Sequence, residues 1–203
     1  MTAARSAIES HRINILRAGT ALLFIPIFFV TSAWEQFPII HETLEATGAL
    51  LIIAGVLGRF WSILYAGGRK NELVLQDGPY SICRHPLYLF STIAILGFGL
   101  FLGSFIVAFA LSGFVFAVLR MTAASEERFL IGKFGQSYSD YAARTPAIIP
   151  RLSQFSTQQH VTFDTGHLRT NFRDALVFLS LLPLGEAIEY LHESGLLPSI
   201  PLW

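Results

Sequence analysis

Long uninterrupted runs of apolar residues, separated by polar segments, dominate the pattern along the chain. An uncharged run extends from Ala18 to Trp34, and a second from Ala46 to Gly68 is interrupted only by Arg59. The third, from Leu87 to Leu119, holds 33 residues without a charge, and a weaker last run extends from Ala175 to Tyr190. Runs of this length predict membrane-spanning helices, since about 20 apolar residues cross a hydrocarbon core of about 30 Å.

The third run is too long for a single span. As one helix it would extend for about 50 Å, well beyond the thickness of the hydrocarbon core. Gly103 and Ser104 near its middle predict a tight turn between two short spans. We therefore predict an all-α, multi-pass membrane protein with about five transmembrane helices, including this helical hairpin. Its length favours a single domain over residues 1–203, with the additional C-terminal span at about 175–190.

Basic residues fall on one side of the predicted spans. Apart from Arg59, every arginine and lysine lies before the first span, between the second and third, or between the fourth and fifth. The opposite loops carry Glu35, Glu42, Glu45 and Glu193 but neither lysine nor arginine. By the positive-inside rule the N-terminus is cytoplasmic, and five spans place the C-terminus on the opposite side.

Composition supports this class and disfavours others. Hydrophobic residues make up 53% and charged residues 14% of the chain, against roughly 45–50% and about 25% in soluble domains. The single cysteine, Cys83, allows neither an internal disulfide nor a CxxC metal site, so we expect no metal. Zero net charge offers no basic surface to nucleic acid. No histidine falls within a span, which disfavours a haem protein, and ionisable residues near span ends disfavour a transporter.

The first cytoplasmic segment, from Leu73 to Tyr88, reads LVLQDGPYSICRHPLY. The tripeptide at 77–79 predicts a turn, and Pro86 suits the first turn of the third span. Arg84 and His85 therefore precede a helix N-terminus, where free backbone N–H groups and the helix dipole favour anions. A basic juxtamembrane anchor with an interfacial tyrosine explains the same residues equally well.

The second cytoplasmic segment, from Ser125 to Pro150, begins with adjacent carboxylates, Glu126 and Glu127. If the fourth span continues as a helix beyond Arg120, Glu126 stands about 9 Å further out. Taken alone, the segment favours an amphipathic interfacial helix with solvated glutamates. An aromatic stripe follows at helical spacing: Phe134, Tyr138 and Tyr141.

Together the two segments resemble a known family. The order R-H-P-x-Y, helical hairpin, E-E, then F-G-x-x-Y-x-x-Y-x-x-R-x-P-x-x-x-P is similar to the isoprenylcysteine carboxyl methyltransferases and the related membrane phospholipid methyltransferases. The resemblance covers a motif-bearing core at about 54–152. It implies S-adenosylmethionine-dependent methyl transfer to an amphiphilic or lipid acceptor at the cytoplasmic membrane face. Isoprenylcysteine-like carboxyl O-methylation is favoured; the alternatives are phospholipid N-methylation and a non-catalytic membrane scaffold.

The resemblance also implies which residues act. Arg84 would bind the cofactor carboxylate or orient the acceptor, and it is the expected catalytic residue. Which glutamate faces the pocket stays open, because neighbours on a helix point about 100° apart. Phe90, where the family often has glycine, and Arg120, the nearest basic residue before the glutamates, would contact the acceptor arriving from the lipid bilayer. The implied cofactor-binding residues are Leu73, Val74, Gly78, Tyr80, Arg84, His85, Tyr88, Glu126 and Glu127.

Overall fold

The computed structural model describes residues 26–67, 72–161, 165–198 and 200–203. Of the predicted first span, Ala18 to Trp34, residues 26–34 are described and residues 18–25 are not. In chain order the elements are a 3-10 helix at Pro26–Phe29, β1 (Val30–Ser32), α1 (Pro38–Ala66), α2 (Pro79–Ile82), α3 (Pro86–Phe101), α4 (Phe105–Phe134), α5 (Gln136–Arg144), a 3-10 helix at Leu152–Gln154, α6 (Thr165–Leu179), α7 (Leu181–Glu193) and β2 (Ile200–Leu202).

Membrane-crossing length is reached three times among the described residues. The three stretches are α1, α4 and residues Ala175–Glu193, which belong to α6 and α7. Helix α3 is also apolar, but its 16 residues extend only about 24 Å. The protein is thus a mostly helical membrane protein, and the prediction of about five spans is neither completed nor excluded by these residues.

Helix α3 packs against both α1 and α4 and forms the centre of the bundle. Its backbone approaches that of α1 closely, because small residues face each other at the crossing. A Cβ atom on Gly48 would lie 2.3 Å from the Phe101 nitrogen, and one on Gly97 would lie 2.8 Å from the Ile52 nitrogen. Such crossings are common between membrane helices, where dispersion contacts replace the hydrophobic effect as the main attraction. Ile52 and Phe98 are completely buried beside them.

The predicted hairpin turn between α3 and α4 is confirmed. Gly103 has φ of +68°, a left-handed conformation that glycine adopts without strain. Ser104 then caps α4, its hydroxyl accepting a hydrogen bond from the Val107 N–H at 3.3 Å. The long apolar run therefore folds back on itself as two antiparallel helices.

A short parallel sheet lies at the same end of the bundle as this turn. Val30 of β1 pairs with Ile200 of β2, and the Ser32 hydroxyl donates to the Gly103 carbonyl at 2.9 Å. The prediction of a helical span that reaches Trp34 is wrong for these residues, whereas the predicted helical fold class holds for most of the described chain. Val30 and its β-branched neighbour fit extended backbone better than helix, and pairing with β2 satisfies their peptide groups.

The predicted last span is divided between α6 and α7 at Ser180. Pro183 explains the interruption, because it has no N–H to donate to the Leu179 carbonyl and its ring would clash there. Arg59 of α1 joins this region to the bundle. Its guanidinium donates to the Ser91 hydroxyl on α3 and stacks over the Phe178 ring at 4.8 Å.

Candidate functional site

One unbroken helix carries the two glutamates out of the apolar bundle. Helix α4 continues past Arg120 to Phe134, so the condition under which Glu126 stands beyond the span is met. It ends at Gly135, whose φ of +56° breaks the helix before α5 begins. Glu126 and Glu127 are thereby held on a rigid element beside the R-H-P-L-Y segment.

Backbone hydrogen bonds join the two motif segments side by side. The N–H groups of Arg84 and His85 donate to the carbonyls of Pro146 and Ala147, each at 2.9 Å. Further along, the Arg151 N–H donates to the Ile82 carbonyl at 2.9 Å. We call the end of the bundle built by residues 73–88 and 126–151 the motif end. Sequence reasoning missed this pairing, although proline after Thr145 was a signal for extended backbone.

The Arg84 guanidinium makes an ion pair and hydrogen bonds with other groups of the protein. Its Nε and Nη2 both lie 2.9 Å from the Glu127 Oε1. Its Nη1 donates to the carbonyls of Ala142 and, at 2.8 Å, Thr145, which lie at the end of α5. These carbonyls lack helical partners, so Arg84 closes α5 while it holds Glu127. This geometry favours a positioning role for Arg84, and its predicted catalytic role stays a prediction.

His85 lies between the two glutamates and is buried. Its Nε2 is 3.0 Å from the Glu127 Oε1, and its Nδ1 is 3.6 Å from the Glu126 Oε2. The ring stacks on Tyr88, with the centroids 5.2 Å apart, and the Tyr88 hydroxyl donates to the Glu126 Oε2 at 3.0 Å. Burial lowers the pKa of the imidazole below its ordinary value, although both glutamates oppose the shift.

These side chains surround an open cavity of about 600 Å³, counted out to the solvent at its mouth. Small-molecule sites are typically lined mostly by apolar side chains with a few polar groups among them. The aromatic stripe lines the cavity, as do four apolar residues that sequence reasoning did not single out: Leu75, Pro86, Leu87 and Leu130. Seven of the nine residues implied as cofactor-binding also line it: Leu73, Val74, Tyr80, Arg84, His85, Tyr88 and Glu126.

Two of the residues implied as cofactor-binding, Gly78 and Glu127, do not line the cavity. Glu127 is held by Arg84 and His85, so the glutamate that faces the cavity is Glu126. Gly78 has φ of +59°, and its N–H donates to the Ser156 carbonyl at 2.8 Å. Gly78 therefore shapes the loop that carries the lining residues.

The two residues implied for the acceptor lie outside the cavity lining. The Phe90 ring packs against Gly58, where an added Cβ would come within 2.1 Å of it, and lies 6.2 Å from the Trp61 ring. Arg120 is exposed on α4. Contact of either residue with an acceptor stays a prediction.

Burial keeps the buried tyrosines and the cysteine of the motif end protonated. It raises the pKa of Tyr138 to about 12, and raises those of Tyr80 and Tyr141 further. The Tyr141 hydroxyl donates to the Tyr80 carbonyl at 2.7 Å. Cys83 is completely buried, and its pKa is raised to about 12, so the thiol is neutral and not a nucleophile at neutral pH.

A larger open cavity, of about 1,260 Å³, lies at the opposite end of the bundle. Its lining is acidic and includes two histidines, and His41 Nε2 lies 3.7 Å from the Glu189 Oε1. Within the part of the chain that the structure describes, no group of three or more His, Cys, Asp or Glu side chains is arranged to hold a metal ion.

Comparison with known proteins places this arrangement in a family. The phospholipid methyltransferase family model matches residues 43–137, which include the R-H-P-L-Y and E-E motifs. The cobalt-zinc-cadmium resistance protein CzcN of Cupriavidus metallidurans is 33% identical over 191 residues, covering 94% of this chain and 87% of that protein. The chain belongs to the phospholipid methyltransferase family.

Other similar proteins of the comparison carry methyltransferase names. The protein-S-isoprenylcysteine O-methyltransferase of Schizosaccharomyces pombe is 33% identical over 96 residues, covering 47% of this chain and 41% of that protein. Methanethiol S-methyltransferase 2 of Bradyrhizobium diazoefficiens is 36% identical over 158 residues, covering 66% and 60%. No solved structure matches the chain significantly. Membership of the phospholipid methyltransferase family supports membrane methyl transfer. The related methyltransferases are named for different methyl acceptors.

Proposed function

We propose that the chain is an S-adenosylmethionine-dependent membrane methyltransferase that acts on a lipophilic acceptor at the cytoplasmic membrane face. One observation carries the proposal: a cavity at the motif end is lined by seven of the nine residues that the family resemblance implies for cofactor binding. The methyltransferase names of several relatives support the same reaction class.

The groups that line the cavity fit this cofactor. When bound, S-adenosylmethionine supplies a methyl group already activated by its sulfonium. The Glu126 carboxylate suits ribose hydroxyls or the ammonium, and the faces of Tyr88 and Tyr138 suit the sulfonium and the adenine. Leu73 and Val74 cover apolar surface and exclude water, and Arg84 acts by holding Glu127 and α5 in place. Alignment and a dry site are the main requirements of such a transfer.

Carboxyl O-methylation of an isoprenylcysteine-like acceptor is the first candidate reaction, supported by the resemblance and by the relatives of that name. An amine acceptor, as in phospholipid N-methylation, is favoured by a different observation. Among the described lining residues the basic side chain is Arg84, which is already engaged by Glu127 and backbone carbonyls. Glu126 adds a carboxylate that attracts an amine and repels a carboxylate acceptor.

The test is incubation of membranes that contain the chain with methyl-labelled S-adenosylmethionine. We expect label in the extracted lipid or lipidated peptide, and less label with Glu126→Gln. Alkali separates the candidates, because a methyl ester releases volatile methanol whereas an N-methyl group stays with the lipid. Label no greater than in membranes that lack the chain would contradict the enzyme and favour a non-catalytic scaffold.

The proposed topology has five spans, with the N-terminus cytoplasmic and the C-terminus on the opposite side. Variants with one added cysteine test it, because native Cys83 is buried and its pKa is raised to about 12. Asp77→Cys and Asp140→Cys should react with an impermeant maleimide from the cytoplasmic side, and Glu35→Cys from the other. The unmodified chain is the control and should stay unlabelled. Labelling of positions 77 and 140 from different sides would contradict the proposal.

A further inference from the structure

Large apolar side chains are exposed on the loop that follows α5, outside every stretch long enough to cross a membrane. Ile149, Leu152 and Phe155 expose 75%, 72% and 51% of their surface. The 3-10 helix Leu152–Gln154 places Leu152 and Phe155 on one side, because residues three apart eclipse each other in that helix. We call residues 149–155 the apolar loop. A contiguous exposed patch of this kind marks an interaction surface.

The apolar loop continues the exposed stripe of α1. Leu50, Ile53 and Leu57 are exposed at helical spacing on one side of this membrane-spanning helix. Trp61 follows one turn later on the same side, and its ring centroid lies 6.0 Å from that of Phe155. The surface that α1 offers to acyl chains therefore passes without interruption onto the loop.

Two further contacts hold the apolar loop and the residues just after it against α1 and α2. The Tyr65 hydroxyl lies 2.7 Å from the Thr157 hydroxyl oxygen, and the Arg151 N–H bonds to the Ile82 carbonyl. Aromatic residues at a helix end are typical of the membrane–water interface. The exposed Arg151 side chain next to Leu152 adds a charge that pairs well with a phosphate.

We propose that the apolar loop is a membrane-surface anchor, with Ile149, Leu152 and Phe155 inserted at the boundary between phospholipid headgroups and acyl chains. Arg151 lies at the level of the lipid phosphates. The occupant of the patch is the bilayer itself, because the patch is continuous with the lipid-facing stripe of α1. The anchor holds residues 146–151 against the membrane surface, and through their backbone hydrogen bonds it also holds Arg84 and His85, which line the cavity.

The test places a fluorescent probe on the full chain in vesicles of phosphatidylcholine and phosphatidylglycerol. The probe is attached to Leu152→Cys and, in a separate variant, to Ile149→Cys. Both positions are exposed, so we expect both variants to fold like the parent chain. Ser137→Cys on α5 is the matched control, since it is exposed beside the polar Gln136–Asp140 hydrogen bond. We expect a nitroxide near the top of the lipid acyl chains to quench the loop probes severalfold more than the control probe, and aqueous iodide to do the reverse.

Two results would overturn the anchor. Iodide quenching of the loop probes equal to that of the control probe would show a solvated loop. Shielding from both quenchers would show that protein, such as a second copy of the chain, covers the patch. The measurement needs no methyl transfer, so its outcome is separate from that of the proposed function.

Discussion

Replacing Arg84 with alanine is expected to lower the free energy of unfolding by about 3–5 kcal/mol, the usual cost of removing one partner of a buried ion pair. The change leaves the Glu127 carboxylate, only 17% exposed, without its cation. It also leaves the carbonyls of Ala142 and Thr145 without the donor that closes α5. Denaturant unfolding of the purified chain in detergent measures the loss.

Arg120→Ala is the matched control for this prediction. Arg120 is exposed on α4, and its loss should change the free energy of unfolding by less than about 0.5 kcal/mol. The combined change Arg84→Met with Glu127→Leu should cost less than Arg84→Ala alone, because it leaves no unpaired buried charge. Equal stability of the Arg84→Ala and Arg120→Ala variants would refute the positioning role.

The second large effect concerns cofactor affinity. Glu126→Gln keeps the shape of the side chain and an acceptor for the Tyr88 hydroxyl, but removes the charge that faces the cavity. If Glu126 binds the cofactor, losing a hydrogen bond to a charged group costs about 1.5–3 kcal/mol, or roughly 10- to 150-fold in affinity. Calorimetry with S-adenosylhomocysteine measures the change.

Ser125→Ala, one residue earlier and exposed, should leave the affinity for S-adenosylhomocysteine unchanged. The unfolding transition of the Glu126→Gln variant should also stay close to that of the parent chain, which separates lost binding from lost folding. Unaltered affinity in Glu126→Gln would remove Glu126 from the proposed cofactor site.

Features that depend on neighbours along the chain could be predicted from the sequence. The turn at Gly103 and Ser104 needs only a left-handed glycine and a capping hydroxyl. The extension of α4 past Arg120 needs only a run of residues that favour helix, in which Gly132 is the one weak position before Gly135. The family motifs added the residues of the candidate site, since their spacing places them on elements that meet at one end.

Features that depend on distant residues could not be predicted. The choice of Glu126 as the cavity-facing carboxylate follows from Arg84 and His85 holding Glu127, which no periodicity shows. The strand at Val30–Ser32 exists because residues 200–202 pair with it, across nearly the whole chain. Pro183 was a local signal for the division of the last span. The length of the apolar run nevertheless favoured one continuous helix.

The hydrogen bonds of Arg84 also set the order in which the site can form during synthesis. Its guanidinium binds carbonyls that follow it by 58 and 61 residues, beyond the complete α3–α4 hairpin. A nascent chain that contains the complete hairpin already holds both glutamates, yet its R-H-P-L-Y segment still lacks residues 146–151, with which it pairs. Translation must pass residue 147 before His85 obtains its backbone partner. The candidate site is therefore completed only after the hairpin that supports it has been synthesised.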